Sequence, residues 1–204
     1  MAYNQQPAFV VGTSNRPHRQ SRVAARLRAE SIAFEWWVNP PDLDDPERGC
    51  FDAHVSLAAY SLRRGLSSIL VFEDDAVLEP GFAGVFSAAR EQIPGDWLTV
   101  HFCPNTHRPL KRYSDNLFVA EEVLCTACIA YNLPALESFV GFSRWKHSDL
   151  DLPIDMVLSG LQHTGRCFVA YPLVCSQEPG HSSIIGKPVD YSFIKERYAV
   201  NVKG

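Results

Sequence analysis

One short segment constrains this chain more than any other: the apolar run Ser67–Phe72, which passes directly into Glu73, Asp74 and Asp75. A continuous apolar run of this length is typical of a strand that is buried on both faces by helices. Three adjacent carboxylates repel one another, so we expect them at an edge of the sheet where a cation offsets their charge. Ligands of open α/β sheets gather at the carboxyl ends of strands, which makes this triplet the first candidate for a functional site.

Apolar strands alternate with amphipathic helices along the rest of the 204 residues. The remaining predicted strands are Ala8–Val11, Phe34–Val38, Trp97–Phe102, Leu124–Tyr131 and Cys167–Tyr171. The predicted helices are Pro17–Glu30, Phe51–Arg64, Gly81–Gln92, Pro134–Phe142 and Asp151–Leu161, with Asn39–Pro46 as a surface loop. This alternation predicts an α/β fold with a mostly parallel central sheet flanked by helices. The length favours one domain over residues 1–204, with a polar, loop-like tail at 180–204 that either folds over the site or is partly mobile.

Composition narrows the function classes. The formal net charge of −4 does not favour a nucleic-acid binder that works through phosphate neutralisation, although a local basic patch stays open. The opening residues carry no charged leader followed by an apolar stretch, and no apolar run reaches the roughly 20 residues of a membrane span. We therefore expect a cytoplasmic protein without stable membrane insertion and with reduced cysteines. Cys125 and Cys128 stand in an apolar stretch without a second metal half-site, which favours core packing.

Phosphate-binding candidates follow the first predicted strand. Thr13 and Asn15 belong to the polar loop after that strand, and Arg16 and Arg19 flank the start of the next helix. Guanidinium groups and unpaired backbone N–H groups at a helix start both suit phosphate. These residues are candidates for nucleotide-sugar binding, and exposed charges on a basic helix are the alternative interpretation.

Further candidates are spread through the chain. Side chains alternate along a strand, so Glu73 and Asp75 project to one side, where either can hold a hard divalent metal that also binds a diphosphate. His54 follows Gly49 and Cys50 near a helix start, and Asp155 lies in the first turn of another helix. After the last predicted strand, Gln177 and His181 can each supply a further polar or metal contact.

The order of these features resembles glycosyltransferase family 25, which contains bacterial lipopolysaccharide or lipooligosaccharide β-galactosyltransferases and the procollagen galactosyltransferases. The elements that carry the resemblance are Arg16-x-x-Arg19, Gly49-Cys50-x-x-x-His54, Ile69–Asp75, the strand around Thr126, Pro153-Ile-Asp155 and the segment Gln177–Ile184. Together they span about residues 8 to 185, and the Gly-Cys-His block followed by Glu-Asp-Asp is the most specific part.

The resemblance implies a GT-A fold, a UDP-sugar donor that is often UDP-galactose, and Mn²⁺ or a similar cation such as Mg²⁺. It also implies inversion at the anomeric carbon, with a base that removes the proton of the acceptor hydroxyl. In this scheme Glu73 and Asp75 serve the nucleotide ribose and the metal, with His181 as a further metal candidate and Asp74 on the nucleotide sugar. Asp155 is the favoured base or acceptor contact, with His54 as the other catalytic candidate.

The chain departs from the family pattern at three positions. Ala53 stands where Ser is usual, Cys125 where Gly is usual and Ile129 where Tyr is usual. These departures leave the acceptor open among a saccharide, a glycolipid, a nucleic acid and a protein. A metal-dependent phosphoryl-transfer or hydrolytic enzyme and an inactive nucleotide-sugar-binding module are the competing classes.

Overall fold

An eight-stranded sheet forms the centre of the computed structural model, which describes residues 6–203. The strands, in chain order, are β1 (Ala8–Thr13), β2 (Glu35–Asn39), β3 (Ser68–Glu73), β4 (Ala76–Leu78), β5 (Thr99–His101), β6 (Asn105–Thr106), β7 (Lys111–Arg112), β8 (Leu117–Val119), β9 (Val123–Leu124), β10 (Cys128–Asn132), β11 (Cys167–Ala170), β12 (Cys175–Gln177), β13 (Gly180–Ser182) and β14 (Lys187–Val189). The helices are α1 (Pro17–Ala29), α2 (Pro46–Arg63), α3 (Phe82–Gln92), α4 (Leu133–Val140), α5 (His147–Leu150), α6 (Ile154–Ser159) and α7 (Ser192–Asn201).

The order of strands in the large sheet is β2-β1-β3-β10-β5-β11-β8-β7. β10 and β8 run antiparallel to their neighbours, and the other strands share one direction. The predicted α/β class with a mostly parallel central sheet is therefore confirmed. β3 lies between β1 and β10, and its apolar run is buried because alternate side chains enter the two cores on opposite faces of the sheet.

Helices cover both faces of the sheet, and each face has its own apolar core. The first core joins α1 and α3 to one face through buried residues such as Leu27 and Phe86. The second core joins α2, α4 and α6 to the other face through residues such as Leu57 and Leu136. α7 contributes Ile194 to the first core and Tyr198 to the second.

Helix α2 begins earlier than the sequence pattern predicts. Asp45 accepts a hydrogen bond from the backbone N–H of Arg48, and Pro46 occupies the first turn, where its missing N–H costs nothing. The predicted loop therefore ends at Asp45, and Gly49 lies inside the helix. A Cβ at Gly49 would lie 3.0 Å from Cβ of Asp42, so glycine lets the preceding loop approach the helix closely.

The strand predicted at Leu124–Tyr131 is divided into β9 and β10 by an irregular turn. Cys125 has a positive φ of 80°, a backbone conformation that ends regular strand pairing. β9 pairs with β6, whereas β10 pairs with β3 and β5. The turn places residues 125–127 at the edge of the sheet where β3 ends, because Cys128 is the partner of Phe72.

The tail at 180–204 is more ordered than its polar composition predicts. β13 and β14 form a hairpin, and α7 packs against the body of the protein through Tyr198, whose hydroxyl donates to the carbonyl of Ala170 at 2.9 Å. Over residues 6–203, none of the helices is long and apolar enough to cross a membrane.

Replacing Phe72 by alanine tests the importance of the central strand. Phe72 is fully buried, and its ring lies 5.5 Å from that of Phe82 on α3. We expect Phe72→Ala to lower the free energy of unfolding by about 3–5 kcal/mol, because it leaves a cavity that the packed core cannot close. Phe139→Ala, at a half-exposed position, is the matched control and should cost about 1 kcal/mol or less. Urea denaturation measures both, and equal losses would contradict the central role of β3 in the core.

Candidate functional site

A cavity of about 370 Å³ opens where β1, β2 and β3 end, at the carboxyl edge of the parallel part of the sheet. Nine of the candidate residues line it: Thr13, Asn15, Arg16, Arg19, Glu73, Asp74, Asp75, Gln177 and His181. The two candidate catalytic residues, His54 and Asp155, lie outside its lining. The fold therefore gathers the candidate nucleotide-sugar and metal residues in one place and sets the catalytic candidates beside it.

Glu73, the last residue of β3, is held by side chains from two other elements. Oγ1 of Thr126 donates a hydrogen bond to Oε1 of Glu73 at 2.6 Å, and Nε2 of His54 lies 3.3 Å from the same oxygen. Burial alone would raise the pKa of Glu73, but the hydrogen bond and charge of His54 and the hydrogen bond from Thr126 outweigh it, so the pKa is lowered. Glu73 is thus kept ionised although most of its side chain is covered.

His54 lies behind Glu73 and away from the cavity. Its ring is almost fully buried, with Nδ1 at 2.9 Å from the hydroxyl of Tyr131 and Nε2 toward Glu73. The sequence placed His54 among the catalytic candidates. In the structure it contacts the carboxylate of Glu73 and the hydroxyl of Tyr131.

Asp74 packs against the end of β1 at the position of Gly12. A Cβ on residue 12 would lie 3.1 Å from both Cβ and Oδ2 of Asp74, so a larger residue would have to displace this carboxylate. Burial raises the pKa of Asp74, although Arg16 and Arg19 oppose the shift. Glycine is thus required at position 12, because the end of β1 and the residue that follows β3 approach too closely for a side chain.

Asp75 forms an ion pair with Arg19 of α1. Nη1 of Arg19 lies 3.1 Å from Oδ2 of Asp75 and 3.6 Å from Oδ1 of Asp74. Burial, together with the charges of Glu73 and Asp74, raises the pKa of Asp75 to about 7, because Arg19 and Gln177 offset only part of it. Within residues 6–203, Oδ1 of Asp75 and Oδ2 of Asp74 are buried without a hydrogen bond of normal geometry.

The two predicted arginines also hold the tail against the cavity. A guanidinium nitrogen of Arg16 donates to the hydroxyl of Ser183, and Nη2 of Arg19 donates to the carbonyl of His181 at 3.0 Å. Both contacts join α1 to the hairpin of β13 and β14. The hairpin therefore forms one wall of the cavity, which explains why His181 reaches it, whereas Gln177 reaches it from β12, where it pairs with Ala76.

Asp155 lies in the first turn of α6, as the sequence predicts, and faces the irregular turn before β10. Its Oδ2 accepts a hydrogen bond from the backbone N–H of Cys125 at 3.1 Å. Burial raises the pKa of Asp155, and the amides of Cys125 and Met156 offset only part of this effect. The carboxylate thus stabilises the turn and the start of its own helix.

Cys125 lies in the apolar core, as the sequence pattern predicts, and it also contacts Gln177 of the cavity lining. Its thiol donates to Oε1 of Gln177 at 3.4 Å and lies 3.7 Å from Sγ of Cys103. Its carbonyl is 3.2 Å from Nδ1 of His101, so its amide, carbonyl and side chain all have partners. The sequence contained a sign of this unusual backbone, because the family that the chain resembles has glycine at position 125, and a positive φ favours glycine.

The predicted metal set of Asp75, Glu73 and His181 is not drawn into one tight group. His181 is exposed, and its backbone carbonyl, not its ring, contacts Arg19. In the described part of the chain, the potential metal ligands that lie within 4.8 Å of one another belong to Cys50, His54 and Glu73. Arg19 supplies the positive charge beside Asp74 and Asp75.

Solved structures of other proteins share the fold of this chain. A crystal structure of a glycosyltransferase involved in glycosylation of the major capsid of PBCV-1 superimposes with a TM-score of 0.56 at 11% identity, covering 96% of this chain and 100% of that chain. A mannose-1-phosphate geranyltransferase from Thermus thermophilus gives a TM-score of 0.50 at 11% identity, over 81% of this chain and 74% of that chain. The fold is accordingly that of GT-A-like glycosyltransferases.

The family comparison is more specific. Residues 20–118 match glycosyltransferase family 25, described as an LPS biosynthesis protein family, which confirms the resemblance found in the sequence. The matched segment contains Cys50, His54 and Glu73–Asp75, and ends before Cys125 and Asp155. The family match therefore supports the strand-end carboxylates more directly than the segment around Asp155.

A human protein, inactive glycosyltransferase 25 family member 3, is 29% identical over 118 residues. The match covers 45% of this chain and 20% of the human protein. The chain thus spans about a fifth of the length of this curated relative, and the likeness concerns one segment of it.

The pKa of Asp75 predicts how stability changes with pH. Because the folded state raises this pKa from 3.8 to about 7, folding retains a proton that the unfolded chain releases, and stability falls as pH rises between these values. Asparagine at this position does not titrate, so the Asp75→Asn variant does not lose this stability as pH rises. The difference in melting temperature, variant minus wild type, should therefore be a few degrees larger at pH 8 than at pH 5. The measurement is a thermal melt in EDTA.

The exposed Asp52→Asn on α2 is the matched control for this measurement and should show no such difference between the two pH values. An Asp75→Asn effect that is equal at pH 5 and pH 8 would contradict the raised pKa.

Proposed function

We propose that this chain is a metal-dependent glycosyltransferase that moves a hexose, with galactose favoured, from a UDP-sugar to an acceptor hydroxyl with inversion. The observation that carries the proposal is the cavity at the ends of β1, β2 and β3, which combines three carboxylates with Arg16 and Arg19. Ligands of α/β folds bind at this edge of the sheet. The family segment and the fold support the same class.

The donor diphosphate has a charge-matched location beside the start of α1. Arg16 and Arg19 both line the cavity, and among residues 6–203 no side chain forms a capping hydrogen bond at the amino end of this helix. Guanidinium groups at a helix start favour phosphate oxygens through charge and through paired N–H donors. Thr13, Asn15 and Gln177 are the remaining polar contacts proposed for the nucleotide sugar.

The carboxylates fit a hard divalent cation. Oδ1 of Asp75 and Oδ2 of Asp74 are buried oxygens without a hydrogen bond of normal geometry in the described chain, and Mn²⁺ and Mg²⁺ prefer oxygen ligands. We propose that Asp75 holds the cation, with Glu73 and His181 as the further candidates. When bound, such a cation stabilises the charge that develops on a departing nucleoside diphosphate.

Neighbouring residues fix the position and the charge of the carboxylates proposed for donor, metal and acceptor contacts. Glu73 keeps its charge through His54 and Thr126, so we assign it to the ribose or the metal. Asp155 is proposed as the base, because burial raises its pKa toward the range in which a carboxylate can accept a proton from a hydroxyl. Its contact with the Cys125 amide fixes its position next to the cavity wall formed by Gln177.

Metal dependence of donor binding is the first test. Calorimetry with UDP should show binding in Mn²⁺ that is lost in EDTA, and Asp75→Ala should abolish the Mn²⁺-dependent part because it removes the proposed metal ligand. Asp52→Ala, an exposed carboxylate on α2, is the control that should leave affinity unchanged. Equal UDP affinity in Mn²⁺ and EDTA would exclude the metal role.

The base assignment has a separate test. Asp155→Asn should lower kcat by about 10²–10⁴-fold while UDP-sugar affinity stays nearly constant, because a general base acts mainly in the transition state. The exposed Asp149→Asn is the matched control. If Asp155→Asn lowers the melting temperature but transfers sugar at the wild-type rate, the residue only stabilises the Cys125 turn and α6.

A second candidate function is an inactive nucleotide-sugar-binding module. It is favoured by the human relative, whose name describes it as inactive, and by the Cys125 and Asp155 segment that lies outside the family match. Such a module would bind UDP-sugar with Mn²⁺ but neither transfer nor hydrolyse the sugar. Donor hydrolysis without acceptor separates the two, since an active transferase releases UDP slowly and a binding module does not.

The acceptor is proposed by class only: a hydroxyl of a saccharide or glycolipid, with protein as the alternative. Nucleic acid is not favoured because the formal net charge is −4.

A further inference from the structure

Three different metal-binding side chains meet beside the cavity. Sγ of Cys50, a ring nitrogen of His54 and a carboxylate oxygen of Glu73 all lie within 4.8 Å of one another. Cys50 and Glu73 also line the cavity, so an ion can reach them from that side. The proposed donor and metal contacts use Glu73, which His54 holds in place, and they give Cys50 no role.

The spacing and surroundings suit a bound ion. Cys50 and His54 are four residues apart on α2, which places both on the same face of the helix. His54 has a second contact through Nδ1 to Tyr131 at 2.9 Å, and Glu73 has one through Thr126 at 2.6 Å. Contacts of this kind orient metal ligands and tune their basicity in known metal sites.

The donor chemistry distinguishes this group from the Asp74–Asp75 pair. Zinc accepts mixed sulfur, nitrogen and oxygen ligands, whereas Mn²⁺ and Mg²⁺ favour oxygen. Ligand atoms around tetrahedral zinc lie about 3.3–3.7 Å apart, so atoms within 4.8 Å of one another need to approach by about 1.5 Å at most. The pair of His54 and Glu73, at 3.3 Å, already has this separation.

We propose that Cys50, His54 and Glu73 form a zinc site beside the cavity, separate from the site for Mn²⁺. The three side chains would supply one thiolate, one imidazole nitrogen and one carboxylate, and two of them, Cys50 and Glu73, line the cavity. The thiol proton of Cys50 passes to solvent when the ion binds, because zinc takes the thiolate.

The site has a consequence that rests on the proposed function. Glu73 is assigned to the donor or its metal, so zinc that holds Glu73 competes with donor binding. Zinc therefore inhibits sugar transfer, and raising the concentration of UDP-sugar and Mn²⁺ relieves the inhibition.

Cobalt and zinc titrations of the metal-free protein test the site directly. One equivalent of bound Co²⁺ should give the near-ultraviolet charge-transfer absorption of a cobalt–thiolate bond, and Zn²⁺ should remove this absorption. Cys50→Ser should abolish this absorption and weaken zinc binding by at least about 100-fold, because loss of a ligand exceeds the roughly 10–100-fold effect of losing an outer contact. Tyr131→Phe should retain the absorption and bind zinc about tenfold more weakly.

Two further variants make the test specific. Cys128→Ala removes a buried thiol in β10 that is not part of the group and should keep the full cobalt absorption. Asp75→Asn should also keep it while losing Mn²⁺-dependent UDP binding, so failure of the transferase proposal and failure of the zinc proposal give different results. A cobalt complex without thiolate absorption, or zinc binding that survives Cys50→Ser but is lost in Asp75→Asn, would overturn the zinc site.

Discussion

Compensation of charge at the end of β3 is the constraint on which the rest of the site depends. Three consecutive carboxylates cannot share one buried strand end unless other groups offset their repulsion. Glu73 has His54 and Thr126, and Asp75 has Arg19. These partners come from α2, from the turn before β10 and from α1, so three separate elements must dock correctly before the strand end is stable. The charges of the site are therefore compensated only when the helices pack correctly on both faces of the sheet.

Local patterns in the sequence were sufficient to predict most of this frame. The apolar run before Glu73 is buried because helices pack on both faces of the sheet, and the Pro17 helix forms nearly as predicted. Parallel strands end at the same edge, so the candidates after β1 and β3 had to be neighbours. That these candidate residues lie together could thus be predicted without knowledge of tertiary structure, since their position follows from strand direction.

Other features depend on contacts between distant residues, which no local pattern encodes. The polar segment 180–189 becomes a hairpin because Arg16 and Arg19 bind it from the other end of the chain. The break at Cys125 depends on partners for its amide and carbonyl, Asp155 and His101, which are far away in sequence. The start of α2 was predicted too late for a different reason. Pro46 follows other prolines in a loop, so it was assigned to that loop and not to the first turn of the helix. The sequence motif singled out His54 as a candidate. Its burial behind Glu73 could not be predicted, because it results from the packing of α2 against the sheet.

Arg19 serves both the acid pair and the hairpin, and this sharing limits how the chain can evolve. One guanidinium nitrogen reaches the carboxylates of Asp74 and Asp75, and another reaches the carbonyl of His181. A lysine has a single nitrogen and lacks this fork, so it cannot reproduce both contacts in the same geometry. Selection on the ligand site and selection on the tail therefore act on the same codon, and neither trait can drift independently of the other.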